Sequence, residues 1–159
     1  MKCYGLLVAG LIAFCAIAAE RQQPPEPGTP HEFRLPAKET IALDNGLEMT
    51  FIDYGSVPKV TLLAVVRTGN IDEGEDTWLP DITVEMLKEG TTTRSAYDIA
   101  RDAAGMGGAF GLNVGAEQTT AGISVLSDHA VAAAALLADV LRNPKFPDSE
   151  LPRVRANFE

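Results

Sequence analysis

The chain is poor in the residues that build reactive sites. It has two cysteines, Cys3 and Cys15, and two histidines, His31 and His129, in 159 residues. Both cysteines fall in the opening stretch "MKCYGLLVAGLIAFCAIAAE", which carries one lysine, then an apolar run, then small residues at Ala16, Ala18 and Ala19. That is the pattern of a secretory signal peptide, with cleavage expected after Ala18 or Ala19. An uncleaved anchor is the alternative, but the run is short for a membrane span. Phe14 ahead of Cys15 does not suit lipoprotein processing. Without the leader the chain carries no cysteine. Disulfides, thiolate ligands and a cysteine nucleophile are then excluded, and the fold must rest on a packed core. No second segment is apolar for long enough to cross a bilayer, so the expected location is the periplasm or the extracellular medium.

Positive charge is scarce as well. The formal net charge is -9, and removal of Lys2 with the leader makes it one unit more negative. No cluster of lysine and arginine interrupts this excess of acid. Nucleic acid and anionic membrane are excluded as main partners on that ground. The motifs H-E-x-x-H, H-x-x-E-H and G-x-S-x-G are absent, and neither histidine stands beside a plausible nucleophile. Gly105, Gly107, Gly108, Gly111 and Gly115 follow a predicted helix rather than opening one, which excludes a dinucleotide or phosphate loop. His31 reads as a solvated residue of a linker. His129, beside Asp128 at a predicted helix start, reads as a surface or capping group.

What is present suits one domain. Residues 1–19 are the expected leader, 20–38 a proline-rich linker or arm, and 39–159 the folded domain, which reads as incomplete at its C-terminal end. Asp44-Asn45-Gly46 is a hairpin signal between two alternating apolar runs. "KVTLLAVVRTG" reads as a further and more fully buried strand. "NIDEGEDTWLP" is a loop with four acids. A helix follows over 80–89, with Pro80 in its first turn and Gly90 as its stop. Ser95 caps a second helix, with Asp98 completing a capping box. Tyr97, with Ile99 or Ala100 and Ala103 or Ala104, is expected to supply its buried side. Two strands and a glycine-bearing turn occupy 105–127. Asp128 or Ser127 is expected to cap the strongest helix, which Asn143-Pro144 ends. A last helix is expected from Asp148 or Ser149, with Pro152 in its first turn. The order β-β-β-α-α-β-β-α-α implies an α+β fold with an antiparallel or mixed sheet and helices packed on one face.

One pair of residues asks for chemistry. Asp81 and Glu85 lie four apart on the first helix and so share a face. Two carboxylates there suit a hard cation. They equally suit a helix dipole at Asp81 and an ordinary polar side at Glu85, Lys88 and Glu89.

The chain also resembles the M16 metallopeptidase family, the pitrilysin, insulinase and mitochondrial processing peptidase group, over roughly residues 38–159. "LDNGLEMTFIDYGSVPKVTLLAVVRTGNIDE" resembles the family's opening. "VEMLKEGTTTRSAYDIARDAAGMGGAF" is similar to its helix, Gly-Thr, helix and glycine turn. "TTAGISVLSDHAVAAAALLADVLRNPKFPDSELPRVR" is similar to the strand and helices that follow. The resemblance implies an M16 N-terminal-domain fold of the LuxS and processing-peptidase type. In active members an H-x-x-E-H motif precedes the Gly-Thr, with two zinc-binding histidines and a glutamate base. Those three positions fall on Asp81, Val84 and Glu85. The third zinc ligand, a glutamate, falls at or just past Glu159. Val84 cannot take a proton from water. The resemblance therefore implies a non-catalytic subunit with no catalytic, cofactor-binding or metal-ligating residue of its own. Such a subunit assists an active zinc peptidase partner and helps hold extended peptide. The alternatives are an M16 zinc-dependent metalloendopeptidase, and an exported interaction module without a peptidase partner.

Overall fold

The computed structural model describes Gly28, Glu32 and residues 34–158. The expected signal peptide, most of the linker with His31, and Glu159 lie outside the described residues. Chain contacts divide the molecule into two units, Met1–Tyr54 and Gly55–Glu159.

In the first unit, strands β1 (Lys38–Ala42) and β2 (Glu48–Ile52) form an antiparallel hairpin, with Ile41 opposite Met49 and Glu39 opposite Phe51. Asp44, Asn45 and Gly46 make the expected turn. The Gly46 N–H donates to the Leu43 carbonyl at 2.9 Å, and the Leu43 N–H donates to the Leu47 carbonyl at 2.9 Å. Gly46 has φ +84°, the left-handed conformation that closes a three-residue hairpin loop.

The second unit contains β3 (Lys59–Val66), β4 (Ala109–Val114) and β5 (Thr119–Leu126), joined antiparallel in the order β3-β5-β4. Its helices are α1 (Leu79–Leu87), α2 (Ala96–Gly105), α3 (Ala130–Arg142) and α4 (Leu151–Arg155). Short 3-10 turns occupy Asn70–Asp72 and Ser127–His129. The element order is the expected one, every strand pair is antiparallel, and the class is α+β.

Alternation along the strands builds the core. Leu62, Ile123 and Phe110 stand side by side across the three strands, and Ala64, Ala121 and Leu112 form the next row. This face packs with Leu87 of α1, Ile99 and Ala103 of α2, Met106, and Ala133, Leu136 and Val140 of α3. Leu136 is 2% exposed, so its truncation to alanine costs about 2–5 kcal/mol. The other face carries Thr61, Leu63 and Val65 opposite Ser124, Gly122 and Thr120. Strand β3 is more covered than β1 and β2, as expected, but only on alternate residues, and Leu63 on this face is 63% exposed. Its apolar residues occur at both parities, but only one parity meets the helices.

Three expectations need correction. Tyr97 is exposed rather than buried, and the Arg101 guanidinium lies 5.9 Å from its ring centroid. Neither Ser127 nor Asp128 caps α3. The 3-10 turn takes that place: the Ala130 N–H donates to the Ser127 carbonyl, and the cap position falls on His129 without a side-chain cap bond. Helix α4 begins at Leu151, because a turn in which the Glu150 N–H donates to the Pro147 carbonyl precedes it. The capping box at Ser95 and Asp98 forms as expected, with the Asp98 N–H donating to Ser95 Oγ and the Ser95 N–H donating to Asp98 Oδ2, both at 3.2 Å.

Candidate functional site

Helix α1 is the element on which the sequence places chemistry, and its ends are fixed by local bonds. Its cap residue, Trp78, has φ 69°, a left-handed conformation that is strained for a bulky side chain. Two bonds hold it there. The Trp78 N–H donates to Glu73 Oε2 at 2.9 Å, and the Trp78 carbonyl accepts from the Ile82 N–H at 2.9 Å. One acid of the preceding loop thus serves as a backbone acceptor. Another, Asp72, accepts from the Gly69 N–H at 3.0 Å. The Trp78 ring lies 5.8 Å, centroid to centroid, from that of Phe158. The residues after α4 therefore reach the start of α1. A second tie, an ion pair of Arg153 in α4 with Glu89 at 2.5 Å, is made to the turn just past α1.

Past α1, Gly90 turns the chain at φ +122°. A Cβ there would stand 2.7 Å from the Arg94 carbonyl oxygen, so glycine is required on both counts. Thr91, buried at 3% exposure, then donates from Oγ1 to Asp139 Oδ2 at 2.9 Å. Thr93 and Arg94 reach the same oxygen at 3.2 and 2.6 Å, and Asn143 Nδ2 donates to Asp139 Oδ1 at 2.9 Å. These bonds draw the Asp139 carboxyl down to about 2, with Asn143 contributing most, then Thr91, Arg94 and Thr93, against burial. The turn after α1 is in this way locked to the end of α3. Sequence reasoning missed this node, because its members are far apart in the chain and no local spacing joins them.

The three singled-out residues do not converge. Asp81 lies in the first turn of α1, where the helix dipole favours an acid. Its Oδ2 is buried without a hydrogen-bond partner. Glu85 is ion-paired to Lys88 Nζ at 2.5 Å. Val84 between them is 5% exposed, part of the helix's inward side with Met86 and Leu87. His129 is on another element, at the start of α3. Among the described residues no group of three or more His, Cys, Asp or Glu side chains is placed to hold a metal ion. A zinc site needs three or four converging nitrogen, oxygen or sulfur donors. One orphaned carboxylate oxygen, one ion-paired carboxylate and one aliphatic side chain do not fit that group.

Residues 53–159 match the family described as Insulinase (Peptidase family M16). The chain belongs to that family. Two Rickettsia proteins, from R. felis and R. bellii and each described as an uncharacterized zinc protease, are 30% identical over 112 and 113 residues. Each alignment covers 70% of this chain and 27% of the relative, so the chain spans about a quarter of the length of those relatives. A crystal structure described as a peptidase M16 inactive domain from Pseudomonas fluorescens aligns with TM-score 0.68 and 25% identity, covering 76% of this chain and 30% of that one. A Helicobacter pylori protease aligns with TM-score 0.72 at 15% identity over 77% of this chain and 30% of its own, a likeness of fold.

Proposed function

We propose that the chain is a non-catalytic M16-like subunit, exported to the periplasm or the medium, that assists peptide binding or assembly of an active zinc peptidase partner. The observation that carries this reading is Val84. The position that the resemblance gives to the general base is an aliphatic residue, buried in the helix's inward side. An aliphatic side chain cannot accept a proton, so no nearby water is activated there. The description of the P. fluorescens neighbour as an inactive M16 domain supports the same reading. Among the described residues no helix is long and apolar enough to cross a membrane.

The description of the Rickettsia relatives as zinc proteases favours the other reading, a zinc-dependent metalloendopeptidase. One pair of measurements separates the two. The purified chain is incubated with an unfolded peptide with and without zinc, and is also co-expressed with a larger subunit that carries H-x-x-E-H. No cleavage by the chain alone, together with co-purification, is the expected result. Zinc-dependent cleavage that chelation abolishes would overturn the proposal. Absence of any complex would leave the lone interaction module in its place.

A further inference from the structure

We propose that Asn45 is a site of spontaneous deamidation, reached through opening of the β1–β2 hairpin. Asn45 is followed by Gly46, which has no side chain to shield its amide nitrogen. The chain's other asparagines, Asn70, Asn113, Asn143 and Asn157, precede Ile71, Val114, Pro144 and Phe158. Three of those neighbours are bulky, and proline offers no N–H. Asn45 is also the asparagine at the tip of an exposed hairpin, with every residue of both strands exposed.

The closed turn protects it. The Gly46 N–H is bound to the Leu43 carbonyl, and Asn45 Oδ1 accepts from the Leu47 N–H at 3.1 Å. The first bond holds the nucleophile and the second holds the side chain that must be attacked. Opening releases both together. A two-stranded ribbon is marginal by itself, so opening costs little. The rate in the protein is then the rate of the free peptide multiplied by the open fraction.

The reaction needs only water. The Gly46 nitrogen, its proton given up to solvent base, bonds to Asn45 Cγ. The Cγ–Nδ2 bond breaks, and ammonia leaves with a proton from solvent. Water then adds to either carbonyl of the resulting succinimide and opens it to aspartate or isoaspartate. One amide and one water become one carboxylate and one ammonium ion. Isoaspartate adds a methylene to the main chain inside the loop that sets the Ala42–Glu48 register, so the pairing must weaken or slip. Both products add a negative charge to a chain already at -9.

The test follows the intact chain, its Asn45→Gln variant and the free peptide of residues 41–49 at mildly alkaline pH, with peptide mapping by mass spectrometry. The expected result is an amide-to-acid mass gain confined to the segment with Asn45, isoaspartate exceeding aspartate, and none in the variant. Conversion in the chain should run roughly tenfold slower than in the peptide. It should speed up in urea while the fluorescence of Trp78, the sole tryptophan, still reports a folded second unit. No conversion in the chain while the peptide converts would overturn the site. A rate equal to the peptide's without urea, or one indifferent to urea until the second unit unfolds, would overturn the opening route.

Discussion

At the scale of single residues, Asp139 has the clearest energetic consequence. Its side chain is 12% exposed and accepts from Thr91, Thr93, Arg94 and Asn143. Its folded pKa of about 2 lies below the ordinary 3.8. As pH falls between those values, the unfolded chain takes up the proton first. The stability supplied by the node is therefore full above pH 3.8 and is lost as pH falls toward 2. Solvent around Arg94, a third exposed, screens part of the interaction. Asp139→Asn should then cost about 1–2 kcal/mol at neutral pH and flatten the decline of stability in that acid window. Urea unfolding of both chains at stepped pH, followed by Trp78 fluorescence, measures it. An undiminished slope in the variant would assign the acid sensitivity to another carboxylate.

At the scale of elements, the sequence announced what depends on neighbours in the chain. The turn at Asp44-Asn45-Gly46 and the box at Ser95 and Asp98 are local chemistry and stand where the residues put them, whereas α1 ends at Leu87 with Lys88 as its cap, ahead of the stop expected at Gly90. The exposure of Leu63 and Tyr97 was not legible, because it depends on what covers a face rather than on the residue there. Nor was Trp78 as a left-handed cap, since Glu73 and Phe158 hold it from opposite directions in the chain. Of the candidate site, the helix and the places of Asp81, Val84 and Glu85 were legible. The Asp139 lock behind them was not.

Two experiments belong to this scale. A Cβ on Gly108, just before β4, would stand 2.0 Å from the Ser124 carbonyl oxygen, whereas one on Gly111 meets nothing within 4 Å. Gly108→Ala must push β4 away from β5 and should cost about 3 kcal/mol or more, against less than about 0.5 kcal/mol for Gly111→Ala. Equal effects in a thermal melt would show that the strand relaxes to admit the methyl group. On α1, Asp81→His together with Glu85→His places two imidazoles one turn apart on a shared face. That variant should gain zinc by equilibrium dialysis and still cleave no peptide, because Val84 remains. Efficient cleavage would show that the missing base is not at position 84.

At the scale of the molecule, the question is whether the fold leans on a metal. A bound ion stabilises the folded state by its binding free energy, and only where the folded chain gathers its ligands. Here Ile123, Leu136, Val125, Val140 and Val154 are fully buried apolar side chains, while among the described residues no third donor joins Asp81 and Glu85 in a metal-holding group. Zinc at a hundred times its dissociation constant would add about 2.7 kcal/mol, which raises the melting temperature of a domain this size by several degrees. Melts of the natural chain with chelator, without additive and with excess zinc are therefore expected to coincide. The doubly substituted α1 chain should separate from its own chelated melt under the same conditions, which shows that the assay can register a site when one exists. A zinc-dependent rise in the natural chain that chelation reverses would mean that donors converge on it in solution, and the zinc peptidase reading would then displace the non-catalytic one.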